Sequence, residues 1–265
     1  MKNLKITIFI FFIFFTLLSC DTDPGLEPIQ SGFLGKIKFI NDWPENTDQV
    51  LVVASTVFPP ANITDIILGD PLPIGVDSTN YIIYTPPAHF AAIGVVWKEI
   101  NQPWDVTNII GIYFPTKNKF TPGSITIPDK QSVIDSINIV ADLSKAKRAV
   151  NSKITGTLRV KGEWPAGATT VLVVASQPGF PTGLLDLTLG QPIQAGFDST
   201  SYSLTLQPGT YKLIGALVLT EGEELGLTSI RGLYYIDPEA GKTGAVTIET
   251  DTSVVNNIDI ELVFQ

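Results

Sequence analysis

The sequence predicts an all-β protein, a tandem repeat of two seven- to eight-stranded β-sandwich domains behind an N-terminal leader. Three observations carry this. The chain matches itself without a gap at an offset of 121 residues. Short runs rich in Val, Ile, Thr and aromatics are punctuated by 19 Pro and 22 Gly, as strands and turns require. No stretch carries a strong helical period.

The repeat is read directly from the residues. Gly35, Trp43 and Pro44 are echoed by Gly156, Trp164 and Pro165. The six residues Val50 to Ser55 recur letter for letter as Val171 to Ser176. Gly75, Asp77, Ser78, Thr79 and Tyr81 find Gly196, Asp198, Ser199, Thr200 and Tyr202, and Gly94, Gly111, Tyr113 and Gly123 find Gly215, Gly232, Tyr234 and Gly244. Identity over the shared stretch is roughly 30%, and a unit this long is a duplicated domain rather than a solenoid repeat. The predicted organisation is a signal at 1–19, a modified cysteine and tether at 20–32, repeat 1 at 33–143, a linker at 144–152 and repeat 2 at 153–265.

Within each copy the strand signals are short. Residues 49–57 and 170–176 are nearly continuous apolar runs, expected of a central strand covered on both faces. Residues 81–84 and 202–206 follow an Asp-Ser-Thr turn, whose Asp77 and Asp198 are expected to cap it through their carboxylates. Residues 90–97 and 211–219 come next, then 108–114 and 230–236, then 124–127 and 245–249. The last strands, 133–140 and 254–262, alternate most cleanly, with Ile258, Ile260 and Leu262 opposite Asp259 and Glu261. Trp43 and Trp164, each followed by Pro, are expected to pack over an end of their sandwich.

At residues 198–213 a strand runs into Pro208, Gly209, Thr210 and Tyr211 and then into another strand. This pattern resembles the carboxypeptidase-regulatory-like, or transthyretin-like, sandwich domains of secreted bacterial proteins. The resemblance covers about 20 residues and implies a hairpin whose Tyr opens the returning core strand, with an accessory or binding role. The first copy departs from it, having Pro86, Pro87, Ala88, His89 and Phe90 there.

At the N-terminus, Lys2 and Lys5 precede an almost wholly apolar run at 6–18. As a helix it would span only about 20 Å, short of a bilayer core of roughly 30 Å, so it reads as a secretory signal. The run ends in Leu17, Leu18, Ser19 and Cys20, which resembles the lipobox of bacterial lipoproteins. The small Ser19 suits the peptidase, and the Cys20 thiol is the nucleophile that takes the diacylglyceryl group. Two or three acyl chains would hold the protein on a membrane at about 0.8 kcal/mol per buried methylene. Asp21 and Asp23 resemble the surface-export signal of Bacteroidetes-type lipoproteins. An Asp beside the cysteine also resembles an inner-membrane retention signal. The expected location is the cell envelope, on the outer membrane or cell surface.

Composition excludes several functions. Apolar residues make up 44% and charged residues 16%, a mix that packs cores. A net charge of -9 with no basic run beyond Lys145 to Arg148 disfavours nucleic acid. Cys20 is the chain's only cysteine and His89 its only histidine, so Ser/His, Cys/His and His/Cys zinc chemistry lack their parts. His89 stands where the second copy has Thr210 and reads as a turn residue. No cofactor or metal is expected. A calcium site lacks a chain of spaced acidic ligands, while a carboxylate pair for a glycosidase stays open.

Aromatics give the functional lead. Trp97, Trp104 and Tyr84 are not shared, being replaced by Val218, Leu225 and Thr205. Exposed rings serve as platforms for sugars, with polar neighbours bonding hydroxyls. Trp104 sits in the polar loop 98–107 beside Gln102 and Asp105. Trp104, Trp97, Tyr84, Gln102 and Asp105 are therefore the candidate ligand residues. The alternative places Trp97 in the core and Trp104 as a loop plug. The reading is a non-catalytic envelope protein binding a glycan or a protein partner. The alternatives are a structural or adhesive spacer and a carboxylate-based hydrolase.

Overall fold

The computed structural model describes residues 30–60 and 63–264, so the leader, Cys20 and most of the tether lie outside the described residues. Among the described residues no α-helix forms, and strands account for nearly all regular structure. The first half runs β1 (Gly32–Ile40), β2 (Thr47–Ser55), β3 (Ile66–Pro71), β4 (Ser78–Tyr84), β5 (His89–Phe90), β6 (Ala92–Glu99) and β7 (Ile109–Ile112). It ends with β8 (Ile125–Thr126), β9 (Val133–Ile134) and β10 (Ile139–Asp142). The second half begins with β11 (Lys153–Lys161), β12 (Ala168–Ser176), β13 (Thr188–Leu189), β14 (Ile193–Gln194), β15 (Ser199–Thr205) and β16 (Gly209–Tyr211). It continues with β17 (Leu213–Thr220), β18 (Ile230–Leu233), β19 (Tyr235–Asp237), β20 (Lys242–Thr243), β21 (Val246–Ile248), β22 (Val254–Val255) and β23 (Ile260–Val263).

In the first half one sheet has the order β10-β1-β4, with β9 also on β1, and the facing sheet has the order β3-β2-β6-β7. The second half repeats this with β23 and β22 on β11, β15 on its other side, and a sheet β13-β12-β17-β18. The registers recur at the sequence offset. Gly32 faces Tyr84 as Lys153 faces Thr205, and Val50 faces Trp97 as Val171 faces Val218. Side-chain bonds recur too. Trp43 Nε1 donates to the Val76 carbonyl at 3.2 Å and Trp164 Nε1 to the Phe197 carbonyl at 3.0 Å, each ring lying on a Phe. Each tryptophan thus packs, partly buried, against the core of its own half.

Alternation sorts the central strands. Val50, Val52, Ala54, Ile93, Val95 and Trp97 enter a core with Phe33, Ile37 and Phe90. Val171, Val173, Ala175, Ile214, Ala216 and Val218 do the same in the second half. A third cluster joins the halves: Leu172, Val174, Leu213 and Leu217, on the outer face of the second central sheet, pack with Leu184, Leu187 and Leu225 against Ile112 of the first half. Phe58, Ile109, Phe114 and Phe120 close over it.

Three expectations are corrected. The last strand of each half is broken, because Ser136 (φ 66°) and Asn257 (φ 64°) are left-handed and lift the chain out of the ladder. The gap is filled by side chains: Asn138 Oδ1 accepts from Lys36 N at 2.8 Å, and Asp259 Oδ1 accepts from Thr157 N at 2.9 Å. The same break frees the Ile137 and Ile258 carbonyls to accept from the Tyr81 and Tyr202 hydroxyls at 2.7 and 2.6 Å. A Cβ on Gly35 or Gly156 would collide with those carbonyls, so glycine is required at both. Second, β15 and β17 form no hairpin: β15 pairs with β11, β17 with β12, and the Pro208-Gly209 corner carries the chain between sheets. Third, Asp77 and Asp198 do not cap their turns by carboxylate; their backbone carbonyls accept from Phe39 N and Val160 N, both at 2.9 Å.

Candidate functional site

The β6–β7 loop turns on Asn101, held left-handed at φ 62°. Asp105 then folds the returning chain: its Oδ1 accepts from Thr107 N at 2.8 Å and from the Thr107 hydroxyl at 2.7 Å. This Asx turn delivers Asn108, 6% exposed, against the linker. There its amide donates to the Lys147 carbonyl at 2.7 Å and its oxygen accepts from Lys147 N at 2.9 Å. Glu99 adds a strap by accepting from Ala149 N at 2.6 Å. Arg148 is held by Asp251 through two bonds of 2.6 Å, while its carbonyl accepts from Gln207 Nε2 at 2.7 Å. The linker is therefore bonded to both halves along its length.

A cleft of about 310 Å³ opens where this loop, the linker and the second half meet. Gln102, Asp105 and Thr107 of the loop, Lys147 of the linker, and Gln191, Ser203 and Thr205 of the second half line it. Most of these polar groups have no protein partner. The carboxamides of Gln102 and Gln191 and the hydroxyls of Ser203 and Thr205 make no hydrogen bond among the described residues, and Asp105 keeps one oxygen free. The Lys147 ammonium likewise has no direct acceptor there. Burial pushes its pKa down to about 8, against the pull of the Asp105 carboxylate. Its neighbours Lys145 and Arg148 are each spent on an aspartate, Asp186 and Asp251.

The predicted residues divide. Gln102 and Asp105 line the cleft together, with a part of Trp97. The Trp97 ring corrects the platform expectation: it is 1% exposed, and its Nε1 donates to the Thr47 hydroxyl at 2.8 Å inside the core. Alternation along β6 places it there with Ile93 and Val95. Trp104 is half-buried outside the cleft wall, with the Lys98 ammonium 5.9 Å from its ring centre. Tyr84 is 57% exposed at the end of β4, in the other sheet. His89 Nδ1 meets the Thr126 hydroxyl at 3.0 Å, a contact repeated by Thr210 and Thr247, so it occupies a structural position shared by both halves. Sequence reasoning missed Lys147, Gln191, Ser203 and Thr205. The one signal was that Lys147 sits in the chain's basic run.

A second, open cleft of about 650 Å³ lies along the free edges of β3 and β4, with Asp70, Asn80 and Asp135 among its walls and none of the predicted residues. Among the described residues no group of three or more His, Cys, Asp or Glu side chains is placed to hold a metal ion.

Fold and site together define an all-β sandwich protein with a polar cleft where the β6–β7 loop, the linker and the second half meet. No protein-family model matches the chain, and no curated protein matches it. Solved structures align over most of its length at low similarity. A leucine-rich repeat protein from Bacteroides thetaiotaomicron aligns at 11% identity and TM-score 0.31 over 87% of this chain, which spans only 26% of that one. A candidate adhesin from Bacteroides ovatus aligns at 11% identity and TM-score 0.21, covering 83% of this chain and 82% of that one. A streptococcal ancillary pilin aligns at 10% identity and TM-score 0.21, covering 87% and 69%. Likeness at this level assigns no family.

Proposed function

We propose that the chain is a non-catalytic, lipid-anchored protein of the bacterial cell envelope, carried on Cys20 at the outer membrane or cell surface. Its two halves, 33–143 and 153–265, are duplicated sandwich domains, and their junction binds a glycan. The observation that carries the binding role is the junction cleft, whose ammonium, carboxylate oxygen, carboxamides and hydroxyls lack hydrogen-bond partners among the described residues. Unsatisfied donors and acceptors facing one another across a cleft suit a ligand dense in hydroxyls, each able to donate and accept. The anchor rests on the lipobox-like Leu17 to Cys20 and the tether after it.

A second reading, a rigid spacer, is favoured by the apolar cluster that joins the halves. One experiment separates the two. The chain from Asp21 onward is titrated calorimetrically with a panel of neutral and charged oligosaccharides, beside Asp105→Ala and Trp104→Ala. Binding lost in Asp105→Ala and kept in Trp104→Ala is the expected result. No binding across the panel leaves the spacer, and turnover of any glycan overturns the non-catalytic role.

A further inference from the structure

The polar cleft adjoins an apolar hollow. Thr107, Leu189, Gly190 and Gln191 belong to its wall and also to that of a second cavity, about 90 Å³, closed by Val53, Ile109, Ile112, Leu172 and Pro192. This hollow lies between the outer faces of the two central sheets, Val53 coming from β2 and Leu172 from β12. Its two hydroxyls are already used: Ser55 donates to the Val57 carbonyl at 2.6 Å, and Thr107 donates to Asp105 at 2.7 Å. A hydroxyl pushed inside would lose water and find no acceptor, whereas a methyl would gain by burial. The lining therefore favours a methyl or acetyl group over a pyranose ring with its several hydroxyls. At the mouth stands the exposed Gln191 carboxamide, a donor beside an acceptor with no partner.

We propose that the junction recognises a 2-acetamido sugar, an inference that rests on the glycan reading above. The acetyl methyl enters the apolar hollow, and the acetamide pairs with Gln191 at its mouth. Ring hydroxyls lie between Asp105 and Lys147, donating to the carboxylate and accepting from the ammonium. The peptide alternative, an apolar side chain in the hollow, is disfavoured because peptide docking draws on free backbone groups. On the loop and linker side that backbone is committed, leaving only the outer edge of β15: Asn108 O accepts from Trp97 N at 3.0 Å, and Lys147 and Ala149 N are held by Asn108 and Glu99. The long-range field of a chain with net charge -9 also favours an uncharged sugar over an acidic one.

The test compares N,N′,N″-triacetylchitotriose (chitotriose below) with cellotriose, which share a β-1,4 backbone and differ only at C2, acetamido against hydroxyl. Calorimetry on the chain from Asp21 onward should show chitotriose binding tighter by about 10- to 200-fold, the range set by one small apolar group in a fitted pocket. Val53→Phe, which fills the hollow, should bring the two to parity. Gln191→Ala, a surface change that spares folding, should weaken chitotriose alone, with circular dichroism confirming the fold of each variant. Equal affinity of the two sugars overturns this proposal and leaves the glycan reading standing, provided another oligosaccharide binds in an Asp105-dependent way. A chitotriose preference untouched by both substitutions also overturns it. An N-acetylated valyl dipeptide amide that outbinds both sugars moves the site to peptides. Failure of every sugar overturns both readings.

Discussion

Leu172→Ala measures whether the two halves are one packed body in solution. Leu172 is fully buried, in the cluster where the second central sheet meets Ile112 of the first half. The substitution removes three carbons, worth about 2.4 kcal/mol at roughly 0.8 kcal/mol each. A cavity term adds to this, and the site collapses poorly because Leu172 already borders the apolar hollow. The expected loss is therefore about 3–5 kcal/mol. Urea unfolding followed by far-ultraviolet circular dichroism reads it. With a slope of about 2–3 kcal/mol/M the midpoint falls by more than about 1 M. A loss below about 1 kcal/mol would mean that Leu172 is solvated in solution and the halves do not pack through this face.

Two serines 121 residues apart should respond oppositely. Ser55 donates to the Val57 carbonyl, whereas the buried Ser176 hydroxyl has no partner among the described residues, so Ser55→Ala should cost about 1 kcal/mol and Ser176→Ala should be neutral or stabilising in the same urea assay. Tyr81→Phe and Tyr202→Phe each strand a buried carbonyl and should each cost about 1–3 kcal/mol, with midpoints lowered alike. For Lys147, burial lowers the folded pKa from 10.5 to about 8, so the unfolded chain binds the proton more tightly. Stability should rise as pH climbs from about 8 to 10.5, and Lys147→Met should abolish that rise. For Asp186, burial opposes ionisation but hydrogen bonds from Lys145 and Thr182 prevail, bringing the pKa down to about 2. Its contribution, about 1 kcal/mol after solvent screening, is present above the unfolded value of 3.8 and lost as pH falls toward 2; acid titration of Lys145→Ala should show a shallower decline.

Much of the fold was legible because strand pairing obeys the same offset as the letters. Tyr81 and Tyr202, or Trp43 and Trp164, hold the same carbonyls in both halves, and their sequence spacing displays that. The breaks at Ser136 and Asn257 were hidden, since a left-handed residue inside an alternating run leaves the alternation intact on either side. β3 was missed because residues 66–71 end in Gly69, Asp70 and Pro71, a turn signature that an edge strand tolerates. Gln102 and Asp105 were legible as a polar loop. Lys147 and Gln191 were not, because the cleft joins residues from the loop, the linker and the other half, whose proximity comes from the junction. For Trp97 the core alternative holds, and period was a better guide than residue type: it shares the inward parity of Val95.

The apolar cluster between the halves has an evolutionary side. A lone sandwich bearing the Leu172, Val174, Leu213 and Leu217 face would be sticky, and selection would have to make that face polar or keep a mate beside it. Here the covering face is carried on the same chain through a short linker, which keeps it at a high effective concentration at any dilution. Once parting is impossible the two surfaces are free of the self-complementarity a symmetric dimer imposes. Phe114 and Phe120 on one side and Leu184 and Leu225 on the other accordingly differ in kind, rings acting as cover and leucines as the surface covered.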